Sequence, residues 1–412
     1  MSCNKVFTEV NKEIEAAFIV KGYEKVSKRL LEFIVNQGER FTYNEETGKY
    51  YINSFYPTFP SVAWNRLIEA FTDIASNTKR VPMQADIVIT GKCHCRCWHC
   101  FRIKDRREDL SFDEIEKTFK SLYDMGTATV GITGGEPMLR GDIKEIISMI
   151  PEGIQGQLYT TGHNITEEFA RFLKNSRISR VIISLDHYDE ESACGMRNYK
   201  HAFEDAHVAI RNLISQGIYT AVTVCVTEKL LEHGELEKYF EYVKNLQVDE
   251  IRVVMPIPQG NLEGKVVNGL YTDAVKFVKN HKKKYMKDEA YPTVVNFCEM
   301  ESAGYMGCGA GANYISINND GLVTPCVAVP LSFGNVKENT LEEIFDDMSQ
   351  YFEKSGRLCY GKISGRIISQ ENVDTSITPI DVEISKEIAK QCRKPVRRAA
   401  IFECISEVLE NE

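Results

Sequence analysis

The chain has 412 residues, 43% hydrophobic and 26% charged, with a formal net charge of −9. That length exceeds one ordinary domain, and the composition belongs to a globular protein with ample core. The acidic balance, unbroken by any long basic run, argues against nucleic acid as a partner, and no run of about 18 apolar residues offers a spanning membrane segment.

In chain order, residues 1–79 open with helical periodicity. Ile14, Phe18, Val26, Leu30, Phe33 and Ile34 can share one stripe, interrupted at Gly22. Phe41-Thr42-Tyr43 and Tyr50-Tyr51-Ile52 flank Asn44–Lys49, a predicted hairpin with Gly48 in its turn. The aromatic stretch Phe55-Tyr56-Pro57-Thr58-Phe59-Pro60 follows, and Ser61 can cap a helix from Val62 towards Ala75. Two accounts of this region stay open. One is a helical cap on the main domain; the other is a docking surface for a peptide leader or a membrane interface.

From about residue 82 strands alternate with helices. The predicted strands are Asp86–Thr90, Thr129–Thr133, Gly156–Thr161, Arg180–Asp186, Tyr219–Val226 and Glu250–Pro256. Amphipathic helices are predicted near 112–125, 142–149, 166–175, 199–216 and 234–246. Ser111 with Glu114 forms a capping box at the first, and Gly217 suits a C-cap after the fourth. Six strands joined by helices imply an α/β fold with parallel pairing and right-handed crossovers, curled into a barrel or part of one. Functional groups then belong at the C-terminal ends of the strands.

Three cysteines stand there, at the spacing Cys93-x3-Cys97-x2-Cys100, just after the first strand. The start of the chain lacks the basic and then apolar regions of a secretory signal, so a cytoplasmic location is the expectation. In a reducing compartment, 13 cysteines point to metal rather than disulfides. Zinc would want a fourth ligand, for which Cys95, His94 or His99 is at hand, but the paired knuckles of a zinc ribbon are missing. Three thiolates with a vacant metal position better suit an iron–sulfur cluster. A second motif, Gly134-Gly135-Glu136-Pro137, directly follows the second strand. Backbone beside two glycines can approach a ligand closely, and its carbonyls can accept from an ammonium. Taken alone, that motif reads more readily as a tight turn than as a ligand site.

Together, over residues 84 to about 256, these motifs closely resemble the radical S-adenosylmethionine (radical SAM) superfamily. The resemblance implies a partial (βα)6 barrel in which Cys93, Cys97 and Cys100 hold a [4Fe–4S] cluster whose fourth iron is chelated by SAM. It implies that His99 lies against adenine, that Gly134, Gly135 and Glu136 bind the methionyl ammonium, and that Ser184 and Arg197 contact the ribose and the methionyl carboxylate. The segment Met255–Gly260 resembles the sixth-strand loop that passes close to adenosine. Two departures stand out. Cys95 adds a thiol where the family has an apolar residue, and Thr160-Thr161-Gly162 ends the third strand where the family has Asn before Gly. Cys225 reads as core, and His187 and Tyr188 are weak candidates for facing substrate.

Beyond residue 296, Cys308 and Cys326 lie in CGAGANYISINNDGLVTPC. Tyr314–Asn318 and Leu322–Thr324 read as a hairpin about Asn319-Asp320-Gly321, which brings the flanking thiols together. This resembles the SPASM and Twitch extensions, which hold auxiliary [4Fe–4S] clusters. The closely paired later cysteines of a full SPASM domain are missing, so one auxiliary cluster is expected, with Cys308, Cys326 and Cys359 as ligands. The fourth ligand is sought among Cys298, Cys392 and Cys404. The expected organisation is residues 1–79, a core over 80–295, and an auxiliary-cluster domain over 296–412.

The activity implied is reductive cleavage of SAM to a 5′-deoxyadenosyl radical that takes hydrogen from a substrate C–H bond. A one-electron donor such as flavodoxin or ferredoxin is implied as partner. The leading expectation for substrate is a ribosomally made peptide, modified by a crosslink, a thioether or an oxidation. The alternative is a small molecule or lipid chain, with the aromatic N-terminal segment at a membrane surface. A non-catalytic iron–sulfur sensor is a distant third, because SAM-binding features accompany the cysteines.

Overall fold

A computed structural model describes residues 4–102, 108–232, 234–265, 276–280, 282, 284–286, 288–356, 359–392 and 398–410. Three short strands near the start, β1 (Asn4–Phe7), β2 (Phe41–Asn44) and β3 (Lys49–Tyr51), pair antiparallel, with Gly48 at positive φ in the predicted turn. The helical stripe divides at Gly22 into Lys12–Phe18 and Glu24–Asn36. Ser61 caps the helix Val62–Ser76, its Oγ accepting from the Trp64 amide at 3.0 Å.

The six predicted core strands are present as β4 (Gln84–Val88), β5 (Thr129–Thr133), β6 (Gln155–Thr160), β7 (Ile178–Ser184), β8 (Tyr219–Cys225) and β9 (Glu250–Val254). All pair in parallel, in sequence order. The sheet then extends at both edges. β10 (Thr293–Asn296) adds parallel to β9, and β11 (Tyr314–Ile317) adds parallel to β4, bringing its hairpin partner β12 (Val323–Thr324) with it. Nine strands of the described residues therefore form one sheet that crosses the boundary expected at 295/296.

Alternation along these strands sorts the side chains into two faces. Ala85, Ile87, Val130, Ile132, Leu158, Val181, Ile183, Val222, Val224, Ile251, Val253, Ile315 and Ile317 join the core packed under the helices. The intervening positions carry buried polar groups, among them Asp86, Gln157, Arg180, Glu250 and Arg252. On this inner face Tyr314 donates to Asp86 Oδ2 at 2.6 Å, and the Arg252 guanidinium lies over the rings of Tyr159 and Phe297. A Cβ on Gly131 would come within 2.0 Å of Asp86 Oδ1, so that strand position must be bare.

The N-terminal region closes the opposite end of the sheet from the cysteine loop. Ser54 donates through its amide and hydroxyl to the buried Glu250 carboxylate, and its carbonyl accepts from Gln157 Nε2 at 2.7 Å. Tyr51 stacks on Tyr219, and both rings flank the fully buried Arg180. Tyr56 and Phe59 are buried beside Trp64, in a second core shared with the helix Ala400–Leu409. The aromatic segment is therefore spent on packing and is not offered to a membrane surface.

Asp249 sits at this same end, accepting from Asn4 Nδ2 and the Thr220 amide. Burial, the largest influence, pushes its carboxyl up to about 7. An unfolded aspartate titrates near about 3.9, so the folded chain holds a proton that the unfolded chain has released. Stability conferred by this proton is present at low pH and is lost as pH rises from about 4 to about 7. Asp249→Asn is expected to flatten that part of the stability profile. Thermal melts across the window check this, and an unchanged slope would refute it.

Candidate active site

The cysteine loop follows β4 and is pinned from four directions. At its base, Thr90 Oγ1 and the Gly91 amide donate to Asp109, which also accepts from Asn319 Nδ2 in the C-terminal hairpin turn. From β5, the amides of Gly135 and Glu136 donate to the carbonyls of Thr90 and Lys92, each at 2.8 Å. From the end of the helix Glu190–Arg197, the carbonyls of Met196 and Arg197 accept from the amides of Trp98 and Arg96. From the loop after β9, Asn261 donates through its amide to the Cys100 carbonyl and through Nδ2 to the Cys97 carbonyl.

These contacts explain the two glycines. A Cβ on Gly134 would meet the Thr90 carbonyl oxygen at 2.8 Å, and one on Gly135 the Lys92 oxygen at 2.3 Å and Cys93 Cβ at 2.9 Å. Only bare backbone lets the turn lie against the cysteine loop. Gly260 does the same from the other side, at 2.3 Å from the Cys100 oxygen.

Glu136 is fully buried and its carboxylate is committed within the chain. Oε1 accepts from Thr160 Oγ1 at 2.6 Å and the Met138 amide at 3.0 Å, and Oε2 accepts from the amide and hydroxyl of Thr161, both at 2.7 Å. Four donors match the four lone-pair sites of a carboxylate. The Thr160-Thr161 departure noted in the sequence thus has a physical role, tying the end of β6 to the glycine turn.

Arg197 is buried and forms an ion pair with Asp186, Nη2 to Oδ2 at 2.6 Å, while its Nη1 reaches Cys97 Sγ at 3.8 Å. Asp186 also accepts from the Cys225 amide, which gives that core position a polar task. Burial opposes the charge on Asp186, but Arg197 and then His99 outweigh it and hold its carboxyl below the usual range. The sequence assigned Asp186 no role, although it is the last residue of the predicted strand Arg180–Asp186. Ser184 itself is the half-buried last residue of β7. His99 stands edge-on to Trp98, its Nδ1 buried without a hydrogen-bond partner, and burial lowers its pKa. His187 and Tyr188 stack on each other, and Tyr188 donates to Glu235.

The donor set fits an iron–sulfur cluster. Hydrogen bonding from Cys95 and then the charge of Arg197, against burial, bring the Cys97 thiol down to about 7, and Cys95 likewise lowers Cys93. Thiolates are the metal-binding form. Cys95 is buried, donates its amide to Cys93 Sγ at 3.4 Å, and has its own thiol pushed up by Cys93 and Cys97. The added thiol is thus a hydrogen-bond donor to its neighbours. Burial raises the Cys100 thiol.

The second cysteine group lies on the same side of the molecule. Cys308 pairs its backbone with Gly356, and Cys308, Cys326 and Cys359 stand within electrostatic reach of one another and of Glu301. Burial raises all three thiols and pushes the Glu301 carboxyl up to about 7. Of the three candidates for a fourth ligand, Cys298 shares the influence of Lys362 with Cys359. Cys392 is buried in the main core, and Cys404 lies beside Arg29 on the far helix. Glu301, a neighbour of all three thiols, is a further candidate. The two groups are joined by the loop after β9, where Asn261 holds the first loop and Gln259 Nε2 donates to the Gly361 carbonyl at 2.9 Å.

Comparison with known proteins agrees with this geometry. Residues 87–251 match the radical SAM superfamily and residues 308–361 the SPASM iron–sulfur cluster-binding domain. The chain is a radical SAM enzyme with a C-terminal SPASM domain, and its cofactors are SAM, a [4Fe–4S] cluster and an auxiliary cluster. It is 26% identical over 314 residues to the AdoMet-dependent heme synthase of Nitratidesulfovibrio vulgaris, covering 67% of this chain and 84% of that protein. It is also 26% identical over 282 residues to the antilisterial bacteriocin subtilosin biosynthesis protein AlbA of Bacillus subtilis, covering 67% of this chain and 62% of AlbA. The fold resembles Streptococcus suis SuiB bound to precursor peptide SuiA, with a TM-score of 0.55, 17% identity, and 68% of each chain covered. Among the described residues, no helix is long and apolar enough to cross a membrane.

Proposed function

We propose that this enzyme takes a hydrogen atom from a C–H bond of a ribosomally made peptide and so installs a crosslink, a thioether or an oxidised residue. Two cysteine groups linked by one short loop, Gln259 to Asn261, carry this reading, because a cluster at the second group would offer an electron acceptor to a substrate radical formed beside the first. The relationship to AlbA, named for its part in making the bacteriocin subtilosin, supports a peptide substrate. Modification of a small molecule is the second reading, favoured by the heme synthase relative, of which this chain covers 84%.

Reduced cluster and SAM together supply a primary carbon radical able to attack an unactivated C–H bond. Within this proposal, Cys93, Cys97 and Cys100 would hold the cluster. The carbonyls of the Gly134–Glu136 turn would accept from the methionyl ammonium. The Glu136 carboxylate would lend negative charge without direct contact, since its acceptor sites are filled. His99 would border adenine, and Ser184 and Arg197 would border the ribose and the methionyl carboxylate. Cys308, Cys326 and Cys359, completed by Cys298 or Glu301, would hold the auxiliary cluster. The division at 79/80 and 295/296 belongs to the same proposal, as does a flavodoxin or ferredoxin as electron donor. The barrel would keep the substrate in place and shielded from solvent.

Anaerobically reconstituted protein with SAM and reductant should release 5′-deoxyadenosine, and Cys93→Ala should abolish it. Cys308→Ala should lower bound iron while cleavage of SAM persists. A candidate peptide should return from the reaction lighter by two hydrogens or newly crosslinked. No 5′-deoxyadenosine above the Cys93→Ala background would refute the chemistry, and turnover of small molecules alone would refute the peptide substrate.

A further inference from the structure

Among the described residues, one group of His, Cys, Asp and Glu side chains converges tightly enough to hold a single metal ion. It consists of His94, His163 and Asp205, whose ligand atoms lie within 4.8 Å of one another. His94 stands in the cysteine loop between Cys93 and Cys95, His163 just beyond the end of β6, and Asp205 on the helix Ala202–Ser215. Gly162, at φ +94, makes the approach possible, since a Cβ there would meet the Asp205 carbonyl oxygen at 2.8 Å. His163 Nδ1 is 2.9 Å from Asp205 Oδ2, and Tyr199 donates to the same oxygen at 3.3 Å. The His94 ring packs on those of His163 and Tyr199, at 4.6 and 4.3 Å between centroids.

Hydrogen bonding alone leaves this cluster incomplete. Both ring nitrogens of His94 are buried and neither has a partner, while the neighbouring carboxylate and imidazole pair with each other. An imidazole buried in this way lacks the partners that buried polar groups ordinarily have. A cation between the three groups would give His94 a bond and would use the charge of Asp205. Two imidazoles with one carboxylate select a late first-row divalent ion over magnesium or calcium.

The geometry points to a zinc-class divalent cation held by His94, His163 and Asp205, apart from both iron–sulfur groups. Tetrahedral zinc with bonds of about 2.0–2.1 Å sets its donors about 3.3 Å apart, so the His163–Asp205 pair would open slightly and His94 would close in. Three protein ligands leave a fourth position for water or an exchangeable ligand. Tyr199 would orient the Asp205 carboxylate from outside the metal's own ligands. The ion would fasten the cysteine loop to the end of β6 and to the helix behind it.

The test uses the holoenzyme, so that iron already occupies the cysteines. After reconstitution, chelator removes loosely held metal, zinc is added, and zinc and iron are counted by mass spectrometry. One zinc per chain is expected, lost in His163→Ala and Asp205→Ala at unchanged iron content. Tyr199→Phe should weaken zinc binding about tenfold. X-ray absorption at the zinc edge on the unaltered protein should show nitrogen and oxygen neighbours near 2.0–2.1 Å and no sulfur at about 2.3 Å. Sulfur neighbours, absent zinc, or zinc retained by both alanine variants would overturn the proposal. Release of 5′-deoxyadenosine is scored separately, so this site and the radical chemistry can fail independently.

Discussion

Glu136→Ala is expected to destabilise the protein by about 3–5 kcal/mol and to reduce the iron it holds. The carboxylate accepts from two amides and two hydroxyls in a fully buried position. Hydroxyls can turn to other acceptors, but the amides of Met138 and Thr161 cannot, and each unsatisfied buried donor costs about 1–3 kcal/mol. The loss would also free the glycine turn from β6, and that turn carries the amides holding the cysteine loop at Thr90 and Lys92. Glu136→Gln should recover part of the stability, since one oxygen remains while its new amide group faces donors. Urea titration with iron counting on the same samples checks both expectations. A variant within about 1 kcal/mol of the parent would show that the turn is held by its backbone contacts alone.

Arg197→Met should cost about 3–5 kcal/mol, because it strands a buried carboxylate while filling most of the volume of the lost side chain. Asp186 and Arg197 are both buried and lie 2.6 Å apart. Burial works against the Asp186 charge, and Arg197 more than offsets it, so the folded carboxyl titrates below its unfolded value. The stabilisation from the pair is therefore present above about pH 4 and is lost as pH falls through the lower, folded value. In Arg197→Met the sign reverses. The stranded carboxyl is easier to bury protonated, and the deficit against the parent should shrink as pH falls towards 4. Adding Asp186→Asn to Arg197→Met should return much of the stability at neutral pH. A deficit that stays constant with pH, or a double variant no better than the single one, would show that the effect lies in packing.

Local signals were strong where one residue type answers one physical need. Ser61 and Ser111 announce their helices because a hydroxyl there satisfies an amide that the helix leaves open. Gly48 and Gly321 mark turns because their positive φ suits glycine. The six core strands appear as apolar alternation, since one face of each must pack under helices. Asp109 and Asn261 carry no such mark. Their task is to receive or supply hydrogen bonds to segments distant in the chain, and nothing local reports such a partner.

The candidate site divides along the same line. The spacing of Cys93, Cys97 and Cys100 was legible because a cluster demands sulfur donors on one short loop. Gly134 and Gly135 were legible as residues, but their reason was not. They are bare so that the turn can touch the backbone of that loop. Glu136 read as a ligand-binding carboxylate, and packing shows it holding Thr160 and Thr161. The fourth thiol, Cys95, became intelligible only beside Cys93 and Cys97.

By itself, then, the sequence determined the α/β alternation, the class of chemistry and the three thiols that open it, since each depends on residue type and short spacing. Tertiary structure alone decided three further matters. β11 joins β4, so that the C-terminal hairpin completes the sheet of the core. Gln259 and Asn261 link the two cysteine groups. His94, His163 and Asp205 converge from a loop, a strand end and a helix. Each is a meeting of segments far apart in the chain, arranged by hydrogen-bonded pairing and burial over the whole fold, and no local pattern encodes it.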